Sequence, residues 1–366
     1  MARKVIFDKK NVLVIGGAGF IGSHLCDELI KTSKVICIDN YASGSVQNIE
    51  HLLQHPNFVF LRHDITEPID LESLPDTEIF QVRFQGIQEV YNMACPTYQM
   101  GFEGYAVATA QANSVGVVNS LEIAKKYNAK FLFGSTRAVY GDPLDGQESF
   151  QEDYWGFVDP MSERACYNEG KRFGETLTST YHLAYGMDTK IARIFNTYGP
   201  RMALRSGRQI PDLVKAALDQ QDLEVLGDGT EEDSYCYVSD MVQGIVALMQ
   251  SNTNDPVNLG NPETHKIITV AQYIIDLTAS KSNLLFGDAV KGLVRFSPPD
   301  ISRAKRYLGW FPVTDLRSGL ERTVDNMKGS RVLSYSSLVD ESAAKNSMAS
   351  GLSPAPEPTH EQESES

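Results

Sequence analysis

An α/β fold built on a doubly wound, mostly parallel sheet is what this sequence predicts, and three observations carry it. Short apolar runs, the mark of strands buried on both faces, recur at 12–15, 34–38, 57–61, 89–94, 130–134 and 190–195. Helical spacing fills much of the sequence between them, and strands alternating with helices favour a parallel sheet covered on both sides. The first run leads straight into a glycine-rich turn that opens a helix.

That turn reads Gly16-Gly-Ala-Gly-Phe-Ile-Gly22. Of its spaced glycines, Gly16, Gly19 and Gly22, one makes the tight bend. Another lets a pyrophosphate reach the backbone, and another lets the helix sit close to its strand. Phe20 and Ile21 belong to the same turn, where free N–H groups meet phosphate charge. This is the start of a Rossmann-type sheet. The second strand ends at Asp39, where a ribose 2′-hydroxyl needs an acceptor. A carboxylate there, followed by Asn40 with no arginine beside it, favours NAD over NADP.

Bulk composition narrows the classes. A chain of 366 residues is long enough for two lobes. Its formal charge of −14 argues against nucleic acid as a partner. The five cysteines show neither C-x-x-C pairs nor zinc-ligand spacing with histidine, so no metal site is expected and reduced thiols are. No apolar run approaches a membrane span, and the expected location is the cytoplasm.

In chain order, the third strand leads to Asp64 and Ile65, expected beside the adenine. Residues 67–88 exceed a minimal crossover. The fourth strand ends at Ala94, expected beneath the cofactor. One long helix is predicted over 106–127, from Ala110, Asn113, Val117, Leu121 and Ala124. The strand at 130–134 delivers Ser135 and Thr136, and a helix over 161–182 carries Tyr167 and Lys171. Residues 1–200 are thus expected to form the cofactor-binding domain. Residues 201–328 are expected to form a smaller α/β substrate lobe, interleaved with the first. It has helices at 211–220, 240–250 and 269–279 and a proline-started helix near 298. Residues 329–366, rich in Ser, Pro, Glu and Ala from Ser342 on, are expected to be a disordered acidic tail.

The chemistry gathers at Tyr167-Asn-Glu-Gly-Lys171. Four residues apart on a helix, the phenol and the ammonium share a face. A phenol is a poor base at neutral pH, and a lysine charge beside it favours the phenolate. Such a pair removes a proton from an alcohol as a hydride leaves its carbon. Thr136 can hold the same hydroxyl.

With these residues in order, the chain resembles the extended short-chain dehydrogenase/reductase superfamily from about Asn11 to Lys328. Within it the chain is most similar to the UDP-glucuronate decarboxylases, through Asp153-Tyr-Trp-Gly156 and Arg164-Ala-Cys-Tyr167. The resemblance implies NAD, a nucleotide-diphosphate sugar, in family terms a UDP-sugar, and a homodimer through helices near Ala106 and Met161. It implies C4 oxidation of the sugar by Tyr167, Lys171 and Thr136, loss of CO₂, and return of the hydride. It also implies that Asn196 and Arg201 approach the diphosphate or sugar, Arg208 the nucleotide, and Tyr237 the region beside the base. The chain departs from the family pattern at Arg137-Ala138, where the family has Ser-Glu. It departs again at Asp233 and Ser297, where the family has arginines, with Arg137 and Arg295 as candidate stand-ins. A nucleotide-sugar 4-epimerase, which tolerates a small residue at Ala138, is the alternative. A non-catalytic dinucleotide-binding protein is the third reading.

Overall fold

Seven parallel strands form the central sheet of this computed structural model, which describes residues 9–96, 104–203, 209–287 and 297–329. The first half contributes β1 (Asn11–Ile15), α1 (Phe20–Leu29), β2 (Lys34–Asp39) and β3 (Phe58–Arg62). Next come two short helices, α2 (Pro75–Glu78) and α3 (Val82–Gln85), and β4 (Glu89–Asn92). Then follow α4 (Ala106–Ala112), α5 (Val115–Tyr127), β5 (Lys130–Thr136), α6 (Ala165–Tyr185) and β6 (Thr189–Ile194). The C-terminal half adds β7 (Thr197–Tyr198), α7 (Gln209–Leu218), β8 (Leu223–Leu226), β9 (Glu232–Ser234), β10 (Cys236–Tyr237) and α8 (Val238–Gln250). It continues with β11 (Val257–Leu259), β12 (Thr264–Lys266), α9 (Ile267–Thr278), β13 (Leu284–Gly287) and α10 (Ser302–Leu308).

The strand order is β11-β6-β5-β4-β1-β2-β3. The chain reverses direction across the sheet between β1 and β4, so the crevice for a ligand lies at the C-terminal ends of those strands. β1 is buried along its whole length, as its unbroken apolar run requires. Leu13, Ile36, Val90, Phe131 and Phe133 share one core with Val117 and Leu121 of α5.

The C-terminal half is woven into this sheet. β11 pairs with β6, Val257 opposite Ala192. Trp310 donates its indole N–H to the Asp240 carbonyl at the start of α8, 2.9 Å away. Three two-stranded pairs, β10-β7, β12-β9 and β13-β8, lie outside the main sheet. Contacts gather the described residues as far as Val324 into one compact unit. The tail expected at 329–366 lies, beyond residue 329, outside the described residues.

The helix expected over 106–127 is two helices. Asn113 turns its side-chain amide onto the Thr109 carbonyl (2.9 Å), and Ser114 turns its hydroxyl onto that of Ala110 (2.7 Å). Side chains of this kind compete with the backbone for helical partners, and the helix restarts at Val115. α6 begins at Ala165, four residues later than the sequence pattern suggests, and α10 is confined to 302–308.

Candidate active site

The glycine turn is packed so closely that side chains are excluded. A Cβ on Gly22 would lie 2.1 Å from the Gly16 carbonyl oxygen, and one on Gly16 would lie 2.6 Å from the Ala94 nitrogen. Gly16 has φ +80°, which glycine alone adopts cheaply. The Ile38 carbonyl at the end of β2 accepts the N–H groups of Gly16 (2.7 Å) and Gly17 (3.3 Å). α1 follows at Phe20 with Gly19 as its extended N-cap, and no side chain caps it. Phe20 and Ile21 are half-buried at this helix start. The turn therefore presents uncapped backbone N–H groups beside a tight, Cβ-free surface, which suits a pyrophosphate.

Asp39 is buried at the end of β2. It accepts the Ala18 N–H at 3.0 Å and the Tyr41 N–H at 2.7 Å. Burial pushes its carboxyl above the usual carboxylate range, against the pull of those N–H groups. Asn40 donates to Asp64 at 2.9 Å, linking the ends of β2 and β3. Ile65 is buried, and its carbonyl accepts Asn119 of α5 at 2.8 Å. Ala94 donates its N–H to Asn92 at 3.2 Å, against Gly16. The structure thus brings the sequence-predicted cofactor residues to one end of β1, β2, β3 and β4.

β5 extends two residues past its expected end and carries Thr136, whose hydroxyl accepts the Ala138 N–H at 3.3 Å. A 3-10 turn, Arg137–Tyr140, follows. Lys171 is buried on α6 and donates to the Gly134 carbonyl of β5 at 2.7 Å. Burial lowers its pKa below the usual lysine range, with the Glu175 carboxylate among the groups opposing the shift. Its ammonium also lies 4.8 Å from the centre of the Phe133 ring. Tyr167 is half-buried, one helical turn before it on the same face.

Glu175, one turn beyond Lys171, was not singled out in the sequence. It accepts the Ser135 hydroxyl at 2.5 Å and pairs with Arg193 at 2.7 Å. It thereby ties α6 to the ends of β5 and β6. Its signal was the four-residue Lys171/Glu175 spacing. Asn113, read in the sequence only as a helix position, donates to the Cys95 sulfur at 3.0 Å beyond β4.

The expected substrate residues each have their own protein partners. Asn196 donates its amide to the Asp233 carboxylate on β9. Arg201 is paired with Asp27 of α1 at 2.7 Å and lies near His51 at 3.4 Å. Tyr237 is buried, edge-on to Tyr198 at 5.5 Å and with the Arg322 guanidinium 5.6 Å from its ring. Arg208 and Arg295 lie outside the described residues. Ser297 is buried. Among the described residues no group of three His, Cys, Asp or Glu side chains is placed to hold a metal ion. Nor is any helix among them long and apolar enough to cross a membrane.

A phosphate-type turn and a Tyr/Lys helix on one parallel sheet mark the extended short-chain dehydrogenase/reductases as the class. The chain belongs to one family within it: the sequence model described as GDP-mannose 4,6 dehydratase matches residues 13–323. It is 40% identical over 318 residues to UDP-glucuronic acid decarboxylase 1 of Danio rerio, covering 87% of this chain and 72% of that one. It is 41% identical over 318 residues to UDP-glucuronic acid decarboxylase 1 of Arabidopsis thaliana, covering 87% and 69%. Among solved structures it is similar to UDP-glucuronic acid 4-epimerase from Bacillus cereus in complex with UDP-glucuronic acid and NAD. That match has 29% identity and TM-score 0.75, over 87% of this chain and 99% of that one.

Proposed function

We propose that this chain is an NAD-dependent UDP-glucuronate decarboxylase, converting UDP-glucuronate to UDP-xylose and CO₂. Lys171 carries the reading: a water-excluded ammonium one turn from Tyr167, the partner a phenol needs to act as a base. The relatives at 40% and 41% identity support the substrate. The Cβ-free turn at Gly16, Gly19 and Gly22, with Asp39 at the ribose, suits NAD, and so do Asn40, Asp64, Ile65 and Ala94 around it.

NAD, when bound, supplies a two-electron store that takes a hydride from C4 of the sugar and returns it. Tyr167 takes the C4 hydroxyl proton, Lys171 favours its phenolate, and Thr136 holds the hydroxyl by a hydrogen bond. Once C4 is a ketone, the C6 carboxylate stands β to it. The C5–C6 bond then breaks, CO₂ leaves, and the electron pair passes into the enolate. C5 takes up a proton, and Tyr167 returns its own to the C4 oxygen when the hydride comes back. On the nucleotide-sugar side, Asn196 lies at the sugar, and residues 201–328 supply Arg208 at the nucleotide.

A 4-epimerase is the second reading. Ala138 brings no carboxylate to the turn after Thr136, and an epimerase needs none there. Purified protein given UDP-glucuronate and NAD, followed by NMR and CO₂ release, separates the two. UDP-xylose with CO₂ is expected, whereas UDP-galacturonate without CO₂ would establish the epimerase. Turnover of no nucleotide sugar would leave a binding protein.

The active species is a homodimer through α4 and α6, whose exposed apolar side chains include Val107, Phe173 and Leu183. Light scattering is expected to give twice the chain mass. The five free cysteines fit a reducing compartment such as the cytoplasm.

A further inference from the structure

Arg137 follows Thr136 directly and opens the 3-10 turn at the end of β5. Its Nη1 lies 3.7 Å from Oδ1 of Asp233, which belongs to β9, outside the main sheet. Both side chains are only partly exposed, 27% and 20%. Asp233 is itself anchored: Oδ1 accepts the Ser234 N–H at 2.7 Å, and Oδ2 accepts the Asn196 amide. A carboxylate held in this way is a fixed post. The 3.7 Å separation exceeds the roughly 2.7–2.9 Å of a full charge-assisted bond, so Asp233 orients the guanidinium by a long contact.

A second guanidinium stands near the first. Arg164 precedes α6, and its carbonyl accepts the Tyr167 N–H at 3.0 Å. Burial lowers its pKa, the Tyr167 phenol opposes that shift, and the charge of Arg137 adds to it. Arg137 and Arg164 therefore share one electrostatic neighbourhood with Tyr167, and Asp233 is the acid that pairs with Arg137 there.

In a hexuronic acid the C6 carboxylate is two bonds from the C4 carbon that Thr136 and Tyr167 serve. Arg137 is the cation next to Thr136 in the chain, at the start of the turn that ends β5. We propose that Arg137 is the specificity-determining residue of the site, binding the C6 carboxylate of the sugar, and that Asp233 positions it. The inference rests on the UDP-glucuronate reading above.

The test measures binding of UDP-glucuronate, UDP-glucose and UDP to the NAD-loaded protein by calorimetry, with turnover in parallel. Arg137→Met is expected to weaken UDP-glucuronate roughly 10–100-fold, the range for losing a charged hydrogen bond. UDP-glucose and UDP should change less than about twofold. Arg137→Lys should recover part of the loss, and it serves as the probe where Arg137→Met fails to fold. Asp233→Asn should raise KM for UDP-glucuronate with little change in kcat, and should have no such effect on top of Arg137→Met. Equal losses for all three ligands would make Arg137 a diphosphate or folding residue and overturn the proposal. Unchanged UDP-glucuronate affinity in Arg137→Met would overturn it while leaving the function standing. A wild-type protein that neither binds UDP-glucuronate better than UDP nor turns it over would sink the functional reading and this inference with it.

Discussion

Replacing Gly22 by alanine adds one methyl group at the tightest point of the glycine turn. Its Cβ would sit 2.1 Å from the Gly16 oxygen, and 2.9 Å from both the Gly16 carbonyl carbon and the Gly17 Cα. The first is roughly 1.4 Å inside ordinary van der Waals contact, and all three neighbours are backbone. Gly16 cannot retreat, because its own far side is closed by the Ala94 backbone and its N–H is bonded to Ile38. The strain must instead move α1, and with it the N–H groups proposed to face the pyrophosphate. Overpacking of this kind costs about 1–3 kcal/mol, equivalent to roughly 5–150-fold in NAD affinity if it falls on the bound state. Calorimetric titration with NAD and thermal unfolding, run beside Gly104→Ala, check this. A Cβ on Gly104 has nothing within 4 Å. Gly22→Ala that binds NAD normally and melts normally would refute the reasoning.

Tyr167→Phe should abolish turnover of UDP-glucuronate while NAD binding stays, and a fully active variant would remove the proposed base. Asp240→Ala should destabilise the fold by about 1–3 kcal/mol in denaturant unfolding, since it removes the acceptor of two part-buried backbone N–H groups. Asp240 accepts the N–H groups of Val313 at 3.0 Å and Thr314 at 2.8 Å. Burial lowers the His24 pKa below 6.5, against the Pro200 carbonyl that bonds its ring. The unfolded chain therefore takes up this proton at a higher pH than the native one. Stability from His24 is complete above pH 6.5 and is lost as pH falls towards the lowered native value, at a rate of up to about 1.4 kcal/mol for each step of one pH unit. Unfolding midpoints of wild type and His24→Gln across that window should differ in slope, and parallel curves would count against it.

Much of the site was legible because its parts are local. The strand–turn–helix from Asn11 to Leu29 depends on glycine spacing and a continuous apolar run, both visible in one stretch of chain. Tyr167 and Lys171 share a helix, so their common face follows from helical geometry alone. The break between α4 and α5 was missed because apolar periodicity runs through it. The side-chain bonds of Asn113 and Ser114 that interrupt the backbone leave that periodicity intact.

Local order in the chain thus settled the α/β class, the glycine turn and the shared helix of Tyr167 and Lys171, since each is written within one or two turns of backbone. Folding settled what long-range pairing alone can assign. It put the three-residue strand β11 beside β6, too short a run to stand out in sequence. It paired Arg201 with Asp27 and Asn196 with Asp233. It also set Arg137 against Asp233, 96 positions apart, because a charge finds its partner through space, and sequence distance says nothing about that.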